Sequence, residues 1–467
     1  MDAVLAFDNI AALSTPPGTS GIAVIRLSGP TVVSICDQAF QPAPSFPRAA
    51  EMKPYTMALG TFCDRRGRGL DQVILSAYRA PHSYTGEDLF EISCHGGTAV
   101  RRSILESLFE RGVRPAGPGE FSKRAFLNGK MDLMQAEAVM DLIHAESRLQ
   151  QQTALAEVGG ALSRALSELS ERLYGVEATL EMILEFPEHE DRPEARERLR
   201  KDTAALVTEL ASALAGWKQG RILRDGFRLV IAGRPNAGKS SLLNELLGEE
   251  RAIVSGREGT TRDTVEALME IEGVPLLLTD TAGLRESEDE LEAEGVSRAR
   301  RAAENADLIL WLHDPTQAEA SLAELASLKA ALPEVDVLLL SGKADLDPEH
   351  KGLDDLRQAW PESQILSWQR GETSATQALR EAIIARYEAA GAGSQNRLLI
   401  HNLRHKRGLE EAKKHLELAL KSMEDGLTLD LTAAMLRAAQ EDFSELTGRE
   451  VSAELADQIF SRFCVGK

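Results

Sequence analysis

The sequence predicts a multidomain chain of α/β plus all-α class. It has an N-terminal α+β domain and a helical domain, into which a P-loop α/β domain is inserted. Three observations predict this. Residues 226–390 alternate short apolar runs (FRLVIAG, PLLLTDT, DLILWLH, VDVLLLSG) with helical patterns, which marks a parallel-rich sheet with helices on both faces. Helical spacing fills residues 126–225 and resumes in 391–467, so the α/β part interrupts one helical region. Residues 1–125 instead mix β-type runs with turn signals.

Taken in order, IAALSTP and GIAVIRLSG are joined by the turn-rich PPGTS, and VILSAYRA and LFEISCHGG bracket PHSYTGED. Apolar residues then recur three and four apart, as in Ala138, Leu142, Ile143 and Ala145, and in Leu162, Leu166, Leu169 and Leu173. The acidic, proline-broken EFPEHEDRPEARER (185–198) reads as a loop or helix junction. After residue 391, LELALKSM and LTLDLTAAMLRAAQEDFSELTG return to helix.

Composition bounds the function classes. The 467 residues are 43% hydrophobic and 27% charged, ordinary for a globular protein. No apolar run approaches the roughly 18–20 residues that span a bilayer, and the start lacks the basic and apolar regions of a signal peptide. Cys36, Cys63, Cys94 and Cys464 stand far apart without a CxxC pair, which fits a reducing cytoplasm better than a disulfide framework or zinc site. The net charge of −20 counts against nucleic acid. Its distribution softens that: residues 1–130 carry 14 basic and 12 acidic groups, and residues 226–390 carry 17 and 31. The stretch 397–414 holds Arg397, Arg404, Lys406, Arg407, Lys413 and Lys414. It is either a solvated helix face or an RNA-facing stripe.

The chemistry-bearing motifs lie in the α/β part. GRPNAGKS (233–240) fits GxxxxGKS, with a strand before it and the helix pattern SSLLNELLG after it. Its glycines let backbone N–H groups approach phosphate, Lys239 reaches the β- and γ-phosphates, and Ser240 ligates Mg²⁺. GTTRD (259–263) supplies Thr261 as a second Mg²⁺ ligand, and DTAG brings Asp280, Thr281, Ala282 and Gly283 to the γ-phosphate side. Lys343 and Asp345 in SGKAD choose the base, Asp345 accepting from the guanine edge. The GTP-binding set therefore comprises Asn236, Ala237, Gly238, Lys239, Ser240, Ser241, Thr261, Asp280 to Gly283, Lys343 and Asp345. Gly342 stands where the usual NKxD reader has Asn, which predicts weakened affinity.

Leu284 follows DTAG, where Ras-like enzymes orient water with Gln. An apolar side chain cannot do this, so hydrolysis needs another group. The candidates are the carboxylates of RESEDELEAEG and a monovalent cation near the Asn236 side-chain oxygen.

STPPGTSGIAVIRLSG, PHSYTGEDLFEISCHGG, GPGEFSKRAFLNGKMDLMQAEAVMDLI and TGREVSAELADQIFSRFCVGK, with the GTPase motifs, run nearly end to end. On these motifs the chain resembles the MnmE (TrmE) family of tRNA-modification GTPases. The resemblance implies a cytoplasmic homodimer assembled through the N-terminal domain, with 5-formyltetrahydrofolate or a related tetrahydrofolate near that interface. It implies a heterotetramer with an FAD-dependent MnmG-type subunit, the FAD lying on that partner. Together they would place an aminomethyl or carboxymethylaminomethyl group on carbon 5 of the tRNA wobble uridine. Carried over by position, Arg26, Glu91, Lys130 and Lys467 would contact folate, and Cys464 is the tail thiol. A K⁺ site would use Asn236, Ser255, Arg257 and Thr260, with Ser255 and Thr260 also in the GTP set, and Glu292 would position water. Ser367 and Trp368 stand where the last guanine loop has Ser-Ala, a bulky departure. The competing class is an RNA- or ribosome-associated assembly GTPase without a modification role.

Overall fold

The structure, a computed structural model, describes residues 8–185, 193–248, 266–280, 302–347, 349–390, 400–448 and 452–466. Contacts divide the chain into two units, Met1–Met140 with Ser444–Lys467, and Asp141–Phe443.

In the first unit, β1 (Ile10–Leu13), β2 (Ser20–Ser28), β3 (Phe40–Pro42), β4 (Thr56–Cys63), β5 (Gly69–Tyr78), β6 (Leu89–Gly96) and β7 (Arg114–Pro115) form one sheet. Its order is β3-β4-β5-β6-β2-β1-β7. Strand periodicity separates the faces. Ala23, Ile25 and Leu27, with Val73, Leu75, Phe90 and Ile92, pack on Val32, Ile35, Ile104 and Leu108 from two helices. The alternate residues Ile22, Met57 and Ile74 remain exposed. The C-terminal helix Ala453–Phe460 belongs to this unit, where Phe460 and Phe463 pack on Leu133 and Phe126.

The second unit begins with helices Arg148–Val158, Ala161–Glu185, Pro193–Ala215 and Trp217–Asp225. Ala161–Glu185 buries Leu162, Leu166, Leu169 and Leu173, the stripe expected from their spacing. Pro193–Ala215 packs along Leu403–Glu424, and Gln440 Nε2 donates to Ser170 Oγ at 2.7 Å. Chain from before and after the sheet thus builds one helical layer, as an insertion requires.

The inserted sheet comprises β8 (Phe227–Gly233), β9 (Glu266–Ile271), β10 (Val274–Asp280), β11 (Leu308–His313), β12 (Asp336–Ser341) and β13 (Ile365–Ser367). The order is β13-β12-β11-β8-β10-β9, all parallel except the β9–β10 hairpin. Both faces are buried, and adjacent residues alternate between them. Leu229, Ile231, Leu310 and Leu340 join one core with Leu242, Leu379 and Ile383. Val230, Ile309, Trp311 and Leu339 join the other with Leu325 and Leu356. This explains why these strands read as continuous apolar runs.

Candidate active site

Parallel register gathers the site at one sheet edge. Asp280 of β10 lies opposite Ile231, Leu312 of β11 opposite Gly233, His313 opposite Ser341 of β12, and Ser341 opposite Ser367 of β13. The loops leaving these strands therefore meet at their carboxyl ends, where ligands of open parallel sheets bind.

Gly233 leaves β8 at φ 145°, and a Cβ there would stand 2.4 Å from the Leu312 carbonyl oxygen. Only glycine fits. The loop continues through exposed Asn236 at φ 60° and Gly238 at φ 105° into helix Lys239–Gly248. Lys239 Nζ donates to the carbonyls of Gly233 at 2.8 Å and Arg234 at 2.7 Å, holding the ammonium over the loop. Ser240 is exposed and Ser241 half-buried in the first turn, while Ala237 is buried beneath. The start of a helix and a fixed ammonium form an anion cradle.

Asp280 ends β10 beside β8. The expected residues Thr281, Ala282, Gly283, Leu284, Ser255, Arg257, Thr260, Thr261, Glu292 and Lys467 lie outside the described residues.

On the base side, Lys343 has φ 53°, and Asp345 is exposed in the short turn Ala344–Leu346. Lys343 Nζ donates to Asp314 Oδ2 at 2.7 Å, and Asp314 is 0% exposed. Burial alone would raise the Asp314 carboxyl, but Lys343 and the Thr316 hydroxyl and N–H outweigh it and hold it below the usual range. Gly342 is crowded: a Cβ would meet Leu312 Cδ1 at 2.9 Å. Trp368 is 3% exposed, and its ring belongs to the core beneath Gly238, Cζ3 standing 3.6 Å from that residue's Cβ position. Its bulk is absorbed below the phosphate loop, and its backbone N–H donates to Ser341 O at 2.9 Å.

Sequence reasoning missed Asp314 and Glu245. Glu245, on the phosphate-loop helix, accepts from Thr376 Oγ1 at 2.7 Å and Gly371 N–H at 3.2 Å, tying that helix to the loop after β13. No local motif announces the contact of Asp314 with Lys343 or that of Glu245 with Thr376, because these partners are remote in sequence.

In the first unit, Arg26 and Glu91 are opposite each other on β2 and β6 and form a 2.7 Å ion pair. The guanidinium lies 5.0 Å from the Tyr84 ring centre and 5.6 Å from that of Phe121. Its Nη1 is buried with no hydrogen-bond partner among the described residues. Lys130 is exposed, its Cγ 3.3 Å from the Cβ position of Gly86. The tail is docked: Val465 bridges Pro118, and Ser14 Oγ donates to Gly466 O at 3.1 Å. Cys464 is exposed on it, whereas Cys36, Cys63 and Cys94 are buried.

Comparison with known proteins adds family to geometry. The profile for the MnmE helical domain matches residues 133–464, and that for the GTP-binding protein TrmE N-terminus matches 9–130. The tRNA modification GTPase MnmE of Moorella thermoacetica is 41% identical over 98% of this chain and 99% of its own. That of Chlorobium luteolum is 41% identical over 98% and 97%. The chain belongs to the MnmE family of tRNA modification GTPases. Among solved structures, the G domain of the T. maritima FeoB iron transporter aligns over 34% of this chain and 96% of its own, at 23% identity and TM-score 0.28.

MnmE membership makes the chain a GTP-binding GTP hydrolase of tRNA modification. Among the described residues, no helix is long and apolar enough to cross a membrane. In the basic stretch Arg397 lies outside the described residues, while Lys406 reaches Glu410, Lys413 reaches Glu417 and Lys414 reaches Glu411. That is the pattern of a solvated helix face.

A second ionic cluster lies where chain enters and leaves the inserted sheet. His401 places Nε2 3.3 Å from Asp141 Oδ2 and Nδ1 3.1 Å from Glu157 Oε1. Arg224, which closely precedes β8, also holds Asp141 at 2.9 Å. These donor atoms would suit a metal, but an imidazolium between two carboxylates, with a guanidinium on one, already balances the charge.

Proposed function

We propose that this MnmE-family chain is a homodimeric GTP-hydrolysing switch. It acts with an FAD-dependent MnmG-type subunit to place an aminomethyl or carboxymethylaminomethyl group on carbon 5 of the tRNA wobble uridine. The observation that carries the reading is the Lys239 cradle at the carboxyl edge of the sheet, in a chain alike to MnmE relatives almost end to end.

Lys239 and the N–H groups of the helix start bind the phosphates of GTP and neutralise charge developing on them. Lys343 lies along the base, and Asp345 accepts from the guanine edge. The Ser240 hydroxyl, a hard oxygen at the first turn, suits Mg²⁺, with Thr261 as its second protein ligand. Asn236, exposed at the crest of the loop, suits K⁺ together with Ser255, Arg257 and Thr260. When bound, these cations supply charge neutralisation at the phosphates, and Glu292 positions the attacking water in place of a Ras-type glutamine.

The first unit fits a reduced folate. Arg26 offers a buried, unsatisfied N–H on a guanidinium near two aromatic rings, and Glu91 beside it suits an amino-pyrimidine edge. Lys130, and Lys467 next to the docked Gly466, suit glutamate carboxylates. The folate supplies the one-carbon unit. The exposed sheet face bearing Ile22, Met57 and Ile74 suits a second copy of this chain.

The test is nucleoside analysis of tRNA from cells lacking this gene, complemented with the wild-type chain or with Lys239→Ala. Wild-type complementation restores the wobble modification and the variant does not. Normal wobble uridine beside defective ribosomal subunits would instead mark an assembly GTPase.

A further inference from the structure

Position 342 carries no side chain, and a Cβ there would crowd Leu312. Leu312, whose Cδ1 stands 2.9 Å from the Cβ position of Gly342, is itself 0% exposed in the sheet core. The base loop therefore lacks the anchoring side chain of an NKxD motif. Its next residue, Lys343, is a non-glycine residue at φ 53°, a conformation that persists only where surrounding contacts hold it.

Asp314 supplies such a contact. It follows β11, and the backbone bond from Gly342 N–H to His313 O at 3.0 Å brings the ends of β11 and β12 together. Asp314 Oδ1 accepts from the Thr316 N–H at 3.0 Å and the Thr316 hydroxyl at 2.7 Å, fixing the carboxylate. Oδ2 receives Lys343 Nζ at 2.7 Å. The neighbouring His313 is turned away, its Nδ1 on Ser321 Oγ at 3.0 Å. A fully buried carboxylate is costly unless paired, and a strand end needs no charge to terminate. We infer that Asp314 is a positioning residue for base recognition, holding Lys343 against the base from behind and replacing the anchor absent at position 342. The inference rests on the reading of Lys343 as a base contact.

The test uses the full-length chain and equilibrium titration with GTP and with ITP, which lacks the exocyclic amine that Asp345 reads. Asp314→Asn keeps the shape and the oxygen facing Thr316 but removes the charge that holds Lys343. It is expected to weaken GTP and ITP by the same factor, about tenfold, and the double variant Asp314→Asn, Lys343→Ala to bind no more weakly than Lys343→Ala alone. Thermal unfolding without nucleotide checks that each variant is folded. Additive losses in the double variant, or wild-type affinity in Asp314→Asn while Lys343→Ala is weakened, overturn the inference alone. Wild-type affinity in Lys343→Ala overturns the base-loop reading beneath it.

Discussion

His401 and Asp141 stand 3.3 Å apart although 260 residues separate them in the chain. The contact closes the helical layer around the inserted sheet. Asp141 lies in the helix Leu133–Ile143, and His401 follows the last described segment of the insert. The helix between them in space approaches closely as well: a Cβ on Gly220 would stand 2.1 Å from Ile400 O. Arg221 pairs with Asp307, which also accepts from Arg228 N–H at 3.0 Å at the base of the sheet. Ion pairs thus tie the chain that leads into the GTPase part to Asp307 within it and, through Asp141, to His401 beyond it.

The pH dependence of stability follows from this cluster. Burial would depress the His401 pKa, but Asp141 and Glu157 more than offset it and raise it to about 9 from 6.5. A raised folded-state pKa means that the contribution is full below about pH 6.5 and is lost as pH rises through about 9. Its size is on the order of 3 kcal/mol. Thermal unfolding of wild type and His401→Gln across pH 6–10 should show the wild-type advantage shrinking over that window. A gap independent of pH would contradict it.

Folate binding should depend on Arg26. Replacing it by Ala removes the unsatisfied N–H and leaves half-buried Glu91 without its 2.7 Å partner. At about 100 times Kd, a ligand stabilises a folded protein by roughly 2.7 kcal/mol. 5-Formyltetrahydrofolate should therefore raise the melting temperature of the wild type but not of Arg26→Ala. An undiminished shift in the variant would remove Arg26 from the site.

How far these features were legible depends on whether their signal is local. The phosphate loop was legible because strand, glycines, Lys239 and helix are contiguous. The parallel sheet was legible because strands buried on both faces are apolar at successive positions. β9 was not, since EALMEI is short and its hairpin turn is Glu272-Gly273, both at positive φ, rather than the stronger Asn-Gly signal. The Arg26–Glu91 pair was named residue by residue, yet its direct ion pair depends on β2–β6 register. Asp314, Glu245 and the His401 cluster are each set by tertiary approach of distant segments. Trp368 illustrates the remaining gap: sequence placed it at the base loop, while its side-chain direction is decided by the core beneath.

Hydrolysis should respond to monovalent cations. With Asn236 on the exposed loop crest and no Gln at position 284, turnover is expected to rise in K⁺ over Na⁺. Glu292→Ala should lower turnover, by roughly 100-fold if it acts as a general base or water-positioning group, while leaving nucleotide affinity intact. Steady-state phosphate release in matched chloride salts measures the first and titration the second. Equal rates in both salts would exclude the cation role.

Restoring the missing Asn of the base loop should not by itself tighten binding. Gly342→Asn places a Cβ 2.9 Å from Cδ1 of the fully buried Leu312, and overpacking of this kind costs about 1–3 kcal/mol. The single variant is therefore expected to melt lower and to bind GTP no better than wild type. Leu312→Ala beside it makes room for the new side chain, although the truncation has its own cavity cost. Comparing GTP affinity in the double variant with that in Leu312→Ala alone separates sterics from recognition. Tighter binding in the double variant shows that Gly342 weakens the base pocket because Leu312 excludes a side chain there. If affinity is unchanged, the Asp314–Lys343 pair already performs the anchoring that an Asn would add.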